Sequence, residues 1–342
     1  MESRGLFPET CGGLDVGGWF QMGYHSEGTN GDGTGFFNNY PNVLQLQQAW
    51  IYAERAADNQ GYGWDWGFRF DYVYGTDGQD TQAFGSRAGQ WDEGADAGNF
   101  YGHAIPQLYA DVVYNDVTVR VGHFYTFIGY ETVPAPENFF YSKSGSLFFE
   151  PFTHTGVLAE WAYSDSVTFL GGWSLGWDTG FSNNGGSTFL GGVNVQLTDS
   201  LSFAYGATAG DFGFADAGGS DTDAYEHSIV LDWQVTERLN YVLQSDYLDN
   251  RLLTTSTLGV ATSIFTVNQY LLYDLNDRWG VGGRLEWLKG SARGELWIAT
   301  LGANWRPRPN LVVRPEIRYE DFDPAIGRTD QTLFGIDAII TF

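Results

Sequence analysis

Residues 311–342 constrain the fold more tightly than any other stretch. Leu311, Val313, Pro315, Ile317 and Tyr319 alternate with Val312, Arg314, Glu316, Arg318 and Glu320. Only an extended strand sorts residues in this way, because successive side chains point to opposite faces. After a polar gap, Phe334, Ile336, Ala338, Ile340 and Phe342 make a second apolar face against Leu333, Gly335, Asp337, Ile339 and Thr341. A soluble sandwich would turn the apolar face inward and simply solvate the four charges in a row on the other. A membrane barrel inverts that geometry, with the apolar face on lipid and the charges in an aqueous lumen.

Composition fits the second case. The chain has 342 residues and nothing in it marks a second domain; barrels of this size form one unit. Aromatics at 17% and 46 glycines, with hydrophobic residues at only 43%, suit many short strands and turns. No run of 18 or more apolar residues occurs, so a transmembrane helix is excluded while a β-barrel is not. Acids outnumber bases 42 to 17, and Lys143 and Lys289 are the only lysines, for a net charge of −25. Nucleic acid is therefore excluded as a partner, since its phosphates would be repelled. Acidic loops or a cation-attracting lumen are the readings that remain. Cys11 is the only cysteine, which rules out an internal disulfide and a cysteine-based zinc site. Met1-Glu-Ser-Arg is followed by no apolar h-region, so an exported form is read as a mature chain.

Alternating segments recur at 17–26, 43–56, 63–75, 104–114, 117–127, 155–164, 167–179, 187–197, 201–212, 225–235, 239–250, 264–275, 279–289, 295–305, 311–321 and 331–342. Tight turns such as Asn115-Asp116, Asp165-Ser166 and Asn276-Asp277-Arg278 alternate with longer loops, the third of which is 128–154. Short turns at one rim, long loops at the other and an even strand number predict an all-β, transmembrane, antiparallel up-and-down β-barrel of about sixteen strands. Residues 1–16 form an N-terminal tail and 17–342 the barrel.

The charges support this assignment. Arg69, Asp71, Asp111, Arg120, Glu160, Asp232, Asp246, Arg284, Glu286, Arg314, Glu316, Arg318, Glu320 and Asp337 fall on the less apolar face of their strands. On the lipid face near the midplane an Arg or Lys would cost about 2–4 kcal/mol. All but Asp232, Asp246 and Asp337 are taken as the pore lining. Two strands resist the rule: 43–56 has Gln48 on its apolar face, and 295–305 is apolar on both. Trp64 and Trp66 against Tyr72 and Tyr74, Trp279 against Trp287, and Tyr241 against Tyr247 predict aromatic girdles at both rims.

Gly17-Gly18-Trp19-Phe20-Gln21, Leu44-Gln45-Leu46-Gln47-Gln48-Ala49-Trp50, Glu150-Pro151-Phe152-Thr153-His154-Thr155-Gly156 and the terminal Phe342 resemble the β-barrel porin family called porin-2 over nearly the whole chain. The resemblance implies a passive outer-membrane channel. Porins in general fold the third long loop into the lumen as a constriction, which here would be 128–154. Its Phe139, Phe140, Tyr141, Phe148 and Phe149 would be costly in water and favour packing on the inner wall, leaving Glu131, Glu137, Lys143 and Glu150 to face the channel. The alternation of Arg314, Glu316, Arg318 and Glu320 departs from a purely basic wall.

Competing motifs are weak. Gly172-Trp173-Ser174-Leu175-Gly176 matches G-x-S-x-G but sits within a strand, where a nucleophile elbow needs a strand-to-helix turn. His25, His103, His123, His154 and His227 show no close ligand spacing. Gly/Asp loops around Asp32, and around Asp77 and Asp80, could hold calcium, although neither completes an EF-hand. The reading is thus a non-enzymatic, cofactor-free porin in the bacterial outer membrane. It would pass small hydrophilic solutes and ions with a mild cation preference, and a homotrimer is one assembly open to it. The alternative is a plugged structural or surface-binding barrel that displays acidic loops.

Overall fold

A computed structural model describes residues 13–30, 37–87, 89–96, 99–182, 185–213, 224–250, 263–291 and 294–342. Cys11 and Asp32 lie outside them. The strands are β1 (Leu14–His25), β2 (Gln45–Arg55), β3 (Trp64–Gly75), β4 (Gly102–Tyr114), β5 (Val117–Tyr125), β6 (Thr153–Ser164), β7 (Val167–Ser174) and β8 (Ser187–Thr198). They continue with β9 (Leu201–Asp211), β10 (Ala224–Thr236), β11 (Leu239–Asp249), β12 (Ser263–Asn276), β13 (Trp279–Gly290), β14 (Glu295–Arg308), β15 (Leu311–Phe322) and β16 (Gln331–Thr341). Each pairs antiparallel with its neighbours in sequence, and β1 closes on β16 with Trp19 opposite Thr341. The result is one closed sixteen-stranded barrel, in which no backbone edge is left to pair with lipid.

The faces run as the alternation requires. On β15, Ile317 and Tyr319 are 49% and 44% exposed, whereas Arg318 and Glu320, which alternate with them, are each 1% exposed. The surface is apolar outside and charged inside, the reverse of a soluble protein. Phe342 lies one residue beyond β16. It exchanges backbone hydrogen bonds with Gly18, and its ring lies 5.4 Å from the outward-facing Phe20. Trp279 stands opposite Trp305 at the short-turn end of β13 and β14, and Trp287 opposite Trp297 eight residues further along. At a rise of about 3.3 Å per residue the two pairs are roughly 26 Å apart along the strand, close to the height of an apolar band flanked by two girdles.

Several boundaries move. β1 begins at Leu14, within the segment read as tail, and β7 stops at Ser174 rather than at 179. The third long loop therefore runs from 126 to 152. The two irregular strands have physical causes. The β1–β2 register shifts between Gln21 and Met22, so that Gln21 faces Gln48 while Met22 faces Leu46, and Gln47 is the extra residue of a bulge. Beyond it the phase of β2 flips, and Gln48 and Trp50 turn inward. On β14 the inner residues Leu296 and Ile298 form an apolar cluster with Leu288 and Phe322, and Phe149 of the third loop packs on it. Both faces of β14 are apolar because one meets lipid and the other meets a loop.

The Gly/Asp stretch at 75–80 forms a short helix, α1 (Thr76–Asp80), after β3. Its Asp77 accepts from Gln48 Nε2 at 2.8 Å and Asp80 from Asn39 Nδ2 at 2.7 Å. These carboxylates hold side-chain amides rather than converging on a calcium-sized turn, and no cluster able to hold a metal occurs among the described residues. Ser174, the centre of the G-x-S-x-G match, ends β7 with its hydroxyl donating to Gly176 O and lying 2.6 Å from Thr188 Oγ1. The strand-to-helix turn of a nucleophile elbow is not there.

Candidate functional site

The third loop enters the barrel. It has no strand of its own, only 3-10 turns at Ala135–Glu137 and Ser146–Phe149, so its backbone groups need partners from outside the segment. The alternating charges of the wall supply them. Arg314 donates from Nη1 to Ala135 O and Asn138 O at 3.0 and 2.7 Å, and Arg318 from Nη1 to Lys143 O at 3.0 Å. Glu316 accepts from Tyr141 N at 2.9 Å and Ser142 N at 3.1 Å, and Glu286 from Gly145 N at 2.6 Å. An irregular loop exposes carbonyls and N–H groups in turn. A wall that alternates arginine with glutamate offers both kinds of partner, which a purely basic wall could not do.

Arg284 is the centre of this contact. It lies 2.7 Å from both Glu131 and Glu286 and donates to Ser142 O and Lys143 O at 2.9 and 3.1 Å, with its guanidinium 5.0 Å from the Phe140 ring centroid. Lys143 turns back into its own loop and donates to Val133 O at 3.0 Å. Burial lowers its pKa to about 8, against the opposing pull of Glu131. Glu131 is itself held below the ordinary carboxylate range, because Arg284, Lys143 and the Ser144 N–H outweigh its burial.

Shape completes the fit. Inner-wall glycines lie under the aromatic run: a Cβ on Gly282 would fall 2.7 Å from the Phe139 ring, one on Gly302 3.1 Å from Phe140, and one on Gly335 2.7 Å from Tyr141. Phe140 packs with Val230, Val242 and Tyr270 of the adjoining β10, β11 and β12. The aromatics thus pack on the wall, as their cost in water implies.

The charged residues divide into two groups. Arg284, Glu286, Arg314, Glu316, Arg318 and Glu320 face inward but are covered by the loop or by one another, and Asp71 is buried beside Arg69. Of the loop residues expected to face the channel, Glu131, Lys143 and Glu150 are buried and only Glu137 is exposed. An ion-paired or amide-bound carboxylate in a packed loop has its partners in the wall, 153 residues away for Glu131 and 94 for Glu150, so loop position alone misreads its direction. Arg69, Asp111, Arg120 and Glu160 are only partly buried. Arg69 reaches Glu54 at 2.7 Å and Asp71 at 2.7 Å, and Arg120 grips Asp111 through two bonds of 2.9 Å. All five inner-wall arginines are therefore ion-paired.

Sequence reasoning missed a second group of acids. Glu150, Asp178, Glu226 and Asp246 gather where the loop's end meets β7, β10 and β11, and none forms an ion pair with a base among the described residues. Only Asp246 and Glu150 stood out by strand phase or loop position. Glu226 lay at the edge of its strand, where the phase is hardest to read.

The family model "Putative beta-barrel porin-2, OmpL-like" matches residues 13–342. Among solved structures, the outer membrane channel DcaP of Acinetobacter baumannii superposes with a TM-score of 0.65 at 10% identity, covering 98% of this chain and 99% of that one. OmpF of Salmonella typhi, in a complex with daunomycin, gives 0.67 at 13%, covering 96% and 97%. OmpT of Vibrio cholerae gives 0.56 at 11%, covering 96% and 97%. At such identities the likeness is one of fold. No curated protein matches the sequence. With the family matched along the whole barrel, the chain belongs to the porin-2, OmpL-like family of β-barrels and is an integral channel protein of the outer membrane.

Proposed function

We propose that the barrel passes small hydrophilic solutes and ions by diffusion, with a mild preference for cations, and that loop 126–152 sets its narrowest section. The observation that carries the preference is the pairing of every inner-wall arginine with an acid, while Glu137 and Glu160, which keep contact with solvent, lack a basic ion-pair partner among the described residues. The field along a lumen follows from the charge that is left over, and here that charge is negative. The half-buried Arg69–Glu54 and Arg120–Asp111 pairs on β2–β5 would line the passage as neutral dipoles. A homotrimer is part of the same proposal, on the likeness to OmpF.

A second reading has support of its own. Arg284, Arg314 and Arg318 are so fully covered by the loop that a plugged structural barrel is the alternative. Planar-bilayer recording separates the two. A steady open-channel current in KCl, with a reversal potential in a salt gradient on the cation side, is the expected result. A correctly inserted protein that carries no current would establish the plug, and clear anion selectivity would refute the charge argument.

A further inference from the structure

At the long-loop rim, a cavity of about 220 Å³ opens above the end of the third loop. Two kinds of residue line it. Phe148, Phe149, Phe152 and Trp177 supply aromatic walls, and Asp80, Glu150 and Asp178 supply carboxylates. Each of these acids has polar neighbours but no ion pair with a base among the described residues. Asp80 accepts from Asn39. Asp178 accepts from the N–H groups of Phe152 and Thr153 at 2.8 Å each. Glu150 accepts from Gln244 Nε2, which also donates to both oxygens of Asp246 at 3.0 Å.

Below the cavity the acids continue. One amide joins Glu150 to Asp246, which sets the two carboxyl groups no more than about 6 Å apart. Glu226 is fully buried within electrostatic reach of Asp246 and Asp178, and neither of its carboxylate oxygens has a hydrogen-bond partner; Glu150 Oε2 also has none. A buried carboxylate with no donor and no base is expensive, and such groups are met at sites built for a ligand. Four neighbouring acids, two of them sharing one amide, call for a positive charge. The aromatic walls above them say what kind, since ring faces attract a cation that has few waters to lose and offer nothing to a small, strongly hydrated ion that needs oxygen ligands.

We propose that this cavity binds an organic cation, an ammonium head carried on a small apolar or aromatic body, with the head toward Glu150 and the acids beneath it and the body between Phe148 and Trp177. The site rests on the channel reading, because it lies at the entrance to the lumen and would select the solute class that enters. Its volume, below the 300–1,000 Å³ of drug-sized pockets, limits the body to about one ring. A divalent metal is a poorer fit, since no ligand cluster of the right kind occurs among the described residues.

The test uses the full-length protein in planar bilayers and three probes: benzyltrimethylammonium, tetramethylammonium and benzenesulfonate. The first has both head and body, the second only the head, and the third the body with the opposite charge. Benzyltrimethylammonium added on the long-loop side is expected to reduce the KCl current at a concentration at least tenfold below that of either control. Glu150→Gln and Phe148→Leu should each raise its half-blocking concentration at least fivefold; Phe148 is 39% exposed, so its variant is the safer folder. Equal block by all three probes in a conducting channel, or block untouched by both substitutions, overturns the proposal and leaves the channel standing. If the inserted protein carries no KCl current, the channel reading fails by itself. Calorimetric titration of the detergent-solubilised protein with the same probes then decides the site, and equal or absent heats for all three would overturn it.

Discussion

At the scale of single residues, the inner wall shows charge used to hold a loop rather than to stabilise a fold. A buried ion pair gains little over apolar packing, but removing one partner leaves an uncompensated charge and costs about 3–5 kcal/mol. Arg284 is such a partner for both Glu131 and Glu286, and its loss would also strip Ser142 O of its donor and leave Lys143 O with Arg318 alone. Arg284→Ala should therefore loosen loop 126–152 while the barrel survives. The variant should keep its heat-modifiable mobility on gels yet become cleavable by added protease between residues 131 and 147, where the parent chain resists. Equal resistance in the two proteins would show that the glycine sockets under Phe139, Phe140 and Tyr141 suffice to hold the loop. That Arg314 and Arg318 face the lumen was legible from strand phase. What they bind was not, because Ala135, Asn138 and Lys143 are brought to them by a loop whose path no local pattern encodes.

At the scale of elements, sixteen strands could be read because a membrane barrel makes every strand satisfy two solvents at once, and a period of two then shows in each. Where that demand lapses, the sequence falls silent. One extra residue at Gln47 reverses the phase of β2, and the inner face of β14 meets a loop instead of water. The third loop itself carries two predictions. Deleting residues 135–147 removes the turn at Ala135–Glu137 and the aromatics seated on Gly282, Gly302 and Gly335. It should raise single-channel conductance, whereas an unchanged conductance in a folded deletion variant would mean that wall side chains set the narrowest section. The second prediction concerns pH. Burial raises Asp178 to about 7 and Asp80 to about 8, and it raises Glu150 as well, chiefly through burial with Asp246 and Glu226 nearby. A carboxyl whose pKa is higher in the folded state than in the unfolded one stabilises the fold below the unfolded value, and that contribution is lost as pH rises through the folded value. The contacts at the end of the loop should thus weaken between about pH 4 and 8. Amide exchange of residues 146–153, corrected for its intrinsic pH dependence, should show less protection at pH 8 than at pH 5; greater protection at pH 8 would contradict the assignment.

At the scale of the whole molecule, a net charge of −25 acts on permeating ions in two ways that can be told apart. Charge spread over the acidic surface makes a diffuse field, which extends about one Debye length, roughly 10 Å at 0.1 M salt and 3 Å at 1 M. Charge on the confined inner wall, as at the half-buried Glu160, is screened less because less electrolyte surrounds it. If the cation preference came from the surface alone, it would vanish at molar salt. If it came from the lumen acids alone, it would hardly change. Since both are present, and the arginines of the wall are neutralised by their partners, the cation-to-anion permeability ratio should fall between 0.1 M and 1 M KCl but stay above unity. Glu160→Gln should then lower the plateau at high salt while leaving the slope between the two concentrations in place. A ratio that reaches unity at 1 M in the parent protein would assign the preference to the surface, and Glu160 would have no part in choosing which ions pass.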